Sequence, residues 1–249
     1  MLTQTLFDLT FLTLTRPSTA AAAGETTLPS DVQFGTLVRW FDADSYSATR
    51  SDGDQLSSSM PWTDKSLNTQ SSTPVNTAKP VFKTNQFGTK PAVLFTSPFA
   101  RMNHPATITF AGDFTFIIVT TGSNDTILIG ENGLNYQVRI CTSGTNKNSF
   151  FPNGGSVITS NLLSASIGTG KANVWMRSGS NVTFWENSAS AGGGSNGGTY
   201  LTDILGSDDG GPLNSCNVGV VLMYSNAMAD SVYLDLYTNY LKPHFSLPW

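Results

Sequence analysis

The sequence predicts an all-β protein: an antiparallel β-sandwich with an extended N-terminal arm and one C-terminal helix. Three observations carry this prediction. Charge is scarce, with 12% Asp, Glu, Lys and Arg against about 25% in an average globular chain. Ser, Thr, Asn and 23 Gly take its place, a composition that suits short strands and turns better than long helices. Short runs of β-branched and aromatic residues recur between clusters of Gly, Asn, Asp and Ser, and helical spacing is convincing in one segment alone, near the end. A chain of 249 residues is also of a size that sandwiches fill as one domain. We divide it into an arm, residues 1–35, and a sandwich domain with its helix and tail, residues 36–249.

The arm begins with the apolar, Thr-rich stretch Met1–Thr15, which Arg16-Pro17 interrupts; small residues follow over Ser18–Gly24. It fits a secretory signal badly, because no positive charge precedes the apolar stretch and Asp8 dilutes it. We read it as a docking segment whose contacts come from Leu2, Leu6, Phe7, Leu9, Phe11 and Leu12. It docks on its own domain or, the favoured reading, on a neighbouring subunit.

Thr36–Asp42, Val81-Phe82 and Ala92–Phe95 are the first strand candidates. Phe114–Thr120 is rich in β-branched and aromatic residues, and Ile127–Ile129 follows a polar turn, so these two are expected to form a hairpin. Over Asn135–Ile140 the pattern alternates: Tyr136, Val138 and Ile140 share one face, Gln137 and Arg139 the other. Val174–Arg177, a Ser-Gly-Ser turn and Asn181–Trp185 read as a second hairpin. Asn217–Tyr224 is apolar almost throughout and is expected at the centre of a sheet. Ser57–Pro80 is long and polar, and Ser188–Tyr200 carries a glycine run that reads as a flexible loop, with a binding loop as the functional alternative. Met228, Val232, Leu236 and Tyr240 are four apart, with Tyr233, Tyr237 and Leu241 beside them, which predicts a helix. Ser225 or Asn226 would cap it and Pro243 would stop it.

Several function classes are excluded or disfavoured directly. A net charge of −4 without a basic cluster gives no reason to bind nucleic acid. No run reaches the ~18 apolar residues of a membrane helix. Cys141 and Cys216 are too few for a disulfide scaffold or a four-ligand zinc site; they can pair once, and burial as two thiols is favoured. His104 and His244 stand beside prolines, outside any metal or nucleophile motif. Gly168–Lys171 lacks the earlier glycine and the hydroxyl residue of a phosphate loop. Asp52-Gly53-Asp54 and Asp208-Asp209-Gly210 read as turns. The sequons at Asn124 and Asn181 say little in so Thr-rich a chain.

Taken together, three segments resemble a known family. They are Trp40-Phe41-Asp42-Ala43-Asp44, then Trp62-Thr63-Asp64-Lys65-Ser66-Leu67-Asn68 with Lys79–Phe82 and Phe87–Phe95, and finally Val220–Met228 with the helix to Leu241. This is similar to the concanavalin A-like lectin/glucanase superfamily, in the laminin G-like jelly-roll form found in bacterial surface proteins and phage structural proteins. The resemblance spans about residues 36–245, matching in the middle only as strands. It departs at Leu67, where many members have glycine. The resemblance implies a jelly roll, and carbohydrate or Ca²⁺ binding through end loops or the concave face; no other cofactor is implied. Trp40 and Trp62 read as core anchors, and Asp42, Asp44 and Asp64 as turn-forming carboxylates.

Glycoside hydrolases of the superfamily use an E-x-D-x-x-E arrangement. The chain has three Glu, at 25, 131 and 186, none with such neighbours, so an enzyme is not expected. The first functional expectation is therefore a bacteriophage virion component, assembled in the host cytoplasm. It would be a capsid decoration or cement protein, a homo-oligomer such as a trimer, docked by its arm to neighbouring subunits such as a major capsid protein. The alternative is a carbohydrate-binding adhesin, in a tail fibre, baseplate or bacterial surface. In it Tyr136, Trp185 and Tyr200 would offer aromatic surfaces to a host glycan.

Overall fold

A computed structural model describes residues 27–75, 78–96, 100–121, 126–131, 136–140, 147–152, 157–161, 170–206 and 215–248. Leu2, Leu6, Phe7, Leu9, Phe11, Leu12 and Cys141 therefore lie outside the described residues. Fifteen strands are numbered in chain order. The first five are β1 (Leu37–Asp42), β2 (Thr73–Pro74), β3 (Val81–Phe87), β4 (Lys90–Phe95) and β5 (Arg101–Phe110). Next come β6 (Phe114–Thr121), β7 (Thr126–Gly130), β8 (Gln137–Ile140), β9 (Ser149–Phe151) and β10 (Ile158–Thr159). The last are β11 (Lys171–Ser178), β12 (Asn181–Glu186), β13 (Ala189–Ser195), β14 (Tyr200–Gly206) and β15 (Cys216–Tyr224). They form two antiparallel sheets. One runs β13-β12-β11-β6-β15-β4-β3, with β1 also paired to β15; the other runs β10-β9-β8-β7-β14-β5-β2.

Two apolar layers result. Phe114, Phe116 and Ile118 of β6 and Val221 and Met223 of β15 face the second sheet, joined there by Met102, Ile129, Val138, Phe150, Tyr200 and Leu205. Ile117 and Val119 of β6 and Val220, Leu222 and Tyr224 of β15 face the opposite way, towards the C-terminal helix. The nearly continuous apolar runs of β6 and β15 follow from this: both faces of each strand are buried. In β15 the register shifts at Gly219. A Cβ there would stand 2.8 Å from the rings of Phe245 and Phe87, so the close approach calls for glycine.

The helix is α1 (Asp230–Leu236), a π-helical turn (Tyr237–Leu241) and α2 (Lys242–Phe245). It differs from expectation at both ends. Ala229 stands at its start without a side-chain cap; Asn226 instead accepts from the Thr36 amide and donates to the Phe34 carbonyl. Pro243 does not stop the helix. The π turn bonds the Lys242 amide to Tyr237, five residues back, which shifts the register just where proline lacks an N–H and crowds the preceding turn.

Three other expectations change. Phe114–Thr120 and Ile127–Ile129 do not form a hairpin: β6 pairs with β11 and β15, whereas β7 belongs to the other sheet. The glycine run is largely an edge strand, β13, paired with β12. It uses glycine because a Cβ at Gly193 would meet the Val182 carbonyl at 2.1 Å and one at Gly194 would meet Ile158 at 2.8 Å. Finally, the described end of the arm is part of the domain. Phe34 is fully buried beneath the helix layer, and Pro29 accepts a 2.9 Å hydrogen bond from the Tyr224 hydroxyl. The β11–β12 hairpin, the central place of β15 and the inward face of Tyr136, Val138 and Ile140 are as the sequence indicates. Cys216 is buried, its Sγ 3.7 Å from the Asn217 carbonyl oxygen.

Candidate functional site

The three aromatics proposed for a glycan have no open ring face. Tyr200 is 0% exposed. Its hydroxyl donates to the Ile129 carbonyl at 3.0 Å, and its ring packs among Phe114, Phe116, Tyr136 and Phe150. Burial pushes its phenol pKa well up, with the Glu131 charge adding to the effect. Tyr136 lies edge-on to Tyr200 and is also buried. Trp185 points to the other side of the first sheet and is covered by the helix, its ring 5.5 Å from that of Tyr233. The physical reason is common to all three: each points into an apolar layer that closes over it.

The tryptophan–aspartate segments build a structural joint. Asp64, 2% exposed, accepts at Oδ1 from the amides of Trp40 (3.0 Å) and Ser66 (2.8 Å). Its Oδ2 accepts from Ser66 Oγ at 2.9 Å and the Gln70 amide at 3.3 Å, with Arg39 Nη1 at 3.7 Å. Burial lowers the pKa of Arg39, and Asp64 works against that fall. Asp42 accepts from Lys65 Nζ and from the Asp44 amide, both at 2.9 Å, while Lys65 Nζ stands 4.7 Å from the Trp40 ring centre. These carboxylates are occupied by the chain's own donors, which leaves a ligand little to compete for. The loop they fix carries Leu67 81% exposed at its tip, so the departure from glycine there is a surface feature.

The calcium and catalytic candidates resolve in the same way. Asp52 accepts from Thr84 and pairs with Lys83 at 3.0 Å; Asp54 accepts from the Ser51 amide. Asp208, Asp209 and Glu25 lie outside the described residues. Glu186 pairs with Lys171 at 3.4 Å. Among the described residues no group of three or more His, Cys, Asp or Glu is placed to hold a metal ion, and no helix is long and apolar enough to cross a membrane.

What remains is the outward face of the second sheet. Cross-strand partners Thr73, Asn103, Ile204, Gly130, Gln137 and Phe151 form one row across β2, β5, β14, β7, β8 and β9. The neighbouring row, Pro74, Met102, Leu205, Ile129, Val138 and Phe150, points inward, and from Met102 to Phe150 its members belong to the core. Ile204 and Gln137 make a buried floor, and Asn103, Arg139 and Phe151 are half-exposed at its rim. The Arg139 guanidinium lies 4.6 Å over the Phe151 ring, and its Nε donates to Gln137 Oε1 at 2.7 Å. Asn103 Oδ1 and Glu131 Oε2 are buried acceptors with no hydrogen-bond partner among the described residues. Burial raises the pKa of Glu131, and Asp203 raises it further. The accessible groups of this face are the half-exposed Arg139, Phe151 and Asn103, a cation, a ring and an amide that a polar ligand can meet. Alternation over 135–140 already put Gln137 and Arg139 on this side; Asn103 and Phe151 join them only through the register.

No family model matches the chain, and no curated protein does. Solved structures do resemble it. The binding domain of Paraclostridial Mosquitocidal Protein 1 is 12% identical with a TM-score of 0.57, covering 82% of this chain and 52% of its own. The botulinum neurotoxin serotype D binding domain is 8% identical at 0.52, covering 83% and 52%. Trypanosoma rangeli sialidase is 9% identical at 0.51, covering 81% and 32%. The chain thus spans about half of each toxin binding domain and a third of the sialidase. At these identities the likeness is one of fold: a two-sheet β-sandwich.

Proposed function

We propose that this chain is a non-enzymatic recognition domain of lectin type that takes a carbohydrate on the outward face of its second sheet. The observation that carries the reading is the Arg139–Phe151 stack, tied down by Gln137. A guanidinium held over an aromatic ring is a preorganised polar and apolar surface. Much of the outer side of the first sheet lies under the helix. That two of the similar folds are binding domains by name supports a binding role. A glycan array with the full chain tests it. Specific binding that drops at least tenfold in both Arg139→Ala and Phe151→Ala, with unchanged circular dichroism, is expected. Binding unaffected by either change would refute the site.

The setting we propose is the one the sequence resemblance implies, a bacteriophage particle, with the domain displayed as a decoration or cement protein. Residues 1–26, with their Leu and Phe side chains, would dock it to a major capsid protein or to a second copy in a homo-oligomer such as a trimer. Strand addition along a sheet edge is a physical route for such a segment. Removing residues 1–26 is expected to abolish incorporation into particles while leaving glycan binding intact; normal incorporation would refute the arm.

A further inference from the structure

His104 of β5 is enclosed by three parts of the chain. Its ring is stacked on Phe41 of β1, with centroids 5.6 Å apart and planes at 14°. Its Nδ1 shares a 2.7 Å hydrogen bond with Ser72 Oγ, just before the two-residue edge strand β2. Its Nε2 is buried with no hydrogen-bond partner among the described residues. The charged group acting on it is Arg39 of β1, which is itself buried. From the 62–72 loop, Asp64 is taken up by Arg39, Ser66 and the Trp40 amide, and Lys65 by Asp42. β2 contributes only Thr73 and Pro74, and Arg101 of β5 lies on the outward side by alternation with Met102.

We propose that His104 is an acid-operated latch, which ties the β2 edge to β5 when neutral and releases it when protonated. A protonated imidazole needs an acceptor at each nitrogen. Ser72 Oγ can serve Nδ1, but Nε2–H faces none, and Arg39 adds like charge. Burial first, and Arg39 second, depress the imidazole pKa from 6.5 to about 3. The folded value lies below the unfolded one. The closed state therefore keeps its full stability above about pH 6.5 and loses it as pH falls towards 3. The opening constant rises about tenfold per pH unit across that window. β2 is the element expected to yield, because two residue pairs hold it to β5, Thr73 with Asn103 and Pro74 with Met102. Its departure bares the backbone of β5 as a new sheet edge, a template for another strand. This device does not depend on the carbohydrate reading.

Amide hydrogen exchange on the full chain between about pH 7.5 and about pH 5, corrected for intrinsic exchange, tests it. Protection at Thr73 and at Met102 and Asn103 of β5, the residues that pair across this edge, is expected to fall about tenfold per pH unit below about 6.5, with β6 and β15 unaffected. His104→Gln should abolish that pH dependence, and His244→Gln should keep it. Protection that is constant with pH in the natural sequence, or that falls equally in His104→Gln, would overturn the latch. Should His104→Gln fail to fold, NMR titration of the imidazole in the natural sequence decides. A common midpoint for ring protonation and β2 opening supports the latch, and separate midpoints overturn it.

Discussion

Asp64 joins the two halves of the joint between β1 and the 62–72 loop. Every donor to it comes from a neighbour brought within reach by folding: Trp40 from β1, and Ser66 and Gln70 from the loop. Removing the carboxylate leaves Arg39 buried beside no counter-charge and orphans several amides. Asp64→Ala is expected to cost about 3–5 kcal/mol, read as a lower urea midpoint at unchanged slope. Arg177 has the same character at the other end of the sandwich. It is 1% exposed, stacks 4.8 Å from the Phe114 ring and donates to the carbonyls of Phe110, Gly112 and Gly198. It thereby fastens the β5–β6 turn to the chain leading into β14. Neither role can be read from residue type alone, since an Asp in a turn-rich segment and an Arg in a strand have many commoner uses.

At the level of elements, β6 and β15 divide the molecule into its two apolar layers, and the helix lies against the side away from the second sheet. The contact between β15 and the helix depends on Gly219. Gly219→Ala forces a methyl against the Phe245 and Phe87 rings, and overpacking of this kind costs about 1–3 kcal/mol. A melting temperature lower by about 2–12 °C is the expected reading. The strand segments were legible because β-branched and aromatic runs bounded by turns are a local signal. The pairing of β6 was not, because adjacency in sequence favours a hairpin, while the inter-sheet crossing is decided by burying Phe114 and Phe116 against Tyr200 and Phe110. β13 was missed because glycine has low strand propensity; it is tolerated at an edge where Val182 and Ile158 come too close for any side chain.

For the whole molecule, the end of the arm is built into the domain: Phe34 lies in the helix layer and Pro29 accepts from the Tyr224 hydroxyl. A protein beginning at Thr27 keeps Phe34 in the helix layer and the Pro29 acceptor of the Tyr224 hydroxyl. One beginning at Gly35 loses Phe34 from the helix layer and the acceptor for the buried Tyr224 hydroxyl, a loss of about 3–5 kcal/mol. Denaturation of the two shortened chains, one against the other, measures it. The comparison also separates an assembly role of the arm from simple destabilisation, because the shorter deletion keeps the contacts of Pro29 and Phe34.

The sequence by itself determined the class of the fold, the position of most strands, the single helix and the apolar character of β15. These follow from propensity and from periods of two and 3.6 residues, which are written into neighbouring positions. The tertiary structure alone decided which strands pair, which face each aromatic takes and which carboxylates are already satisfied. It withdrew Tyr136, Trp185 and Tyr200 from the surface and set Arg139 upon Phe151 instead. Those outcomes depend on register between strands far apart in the chain, where a shift of one residue turns every side chain to the opposite face.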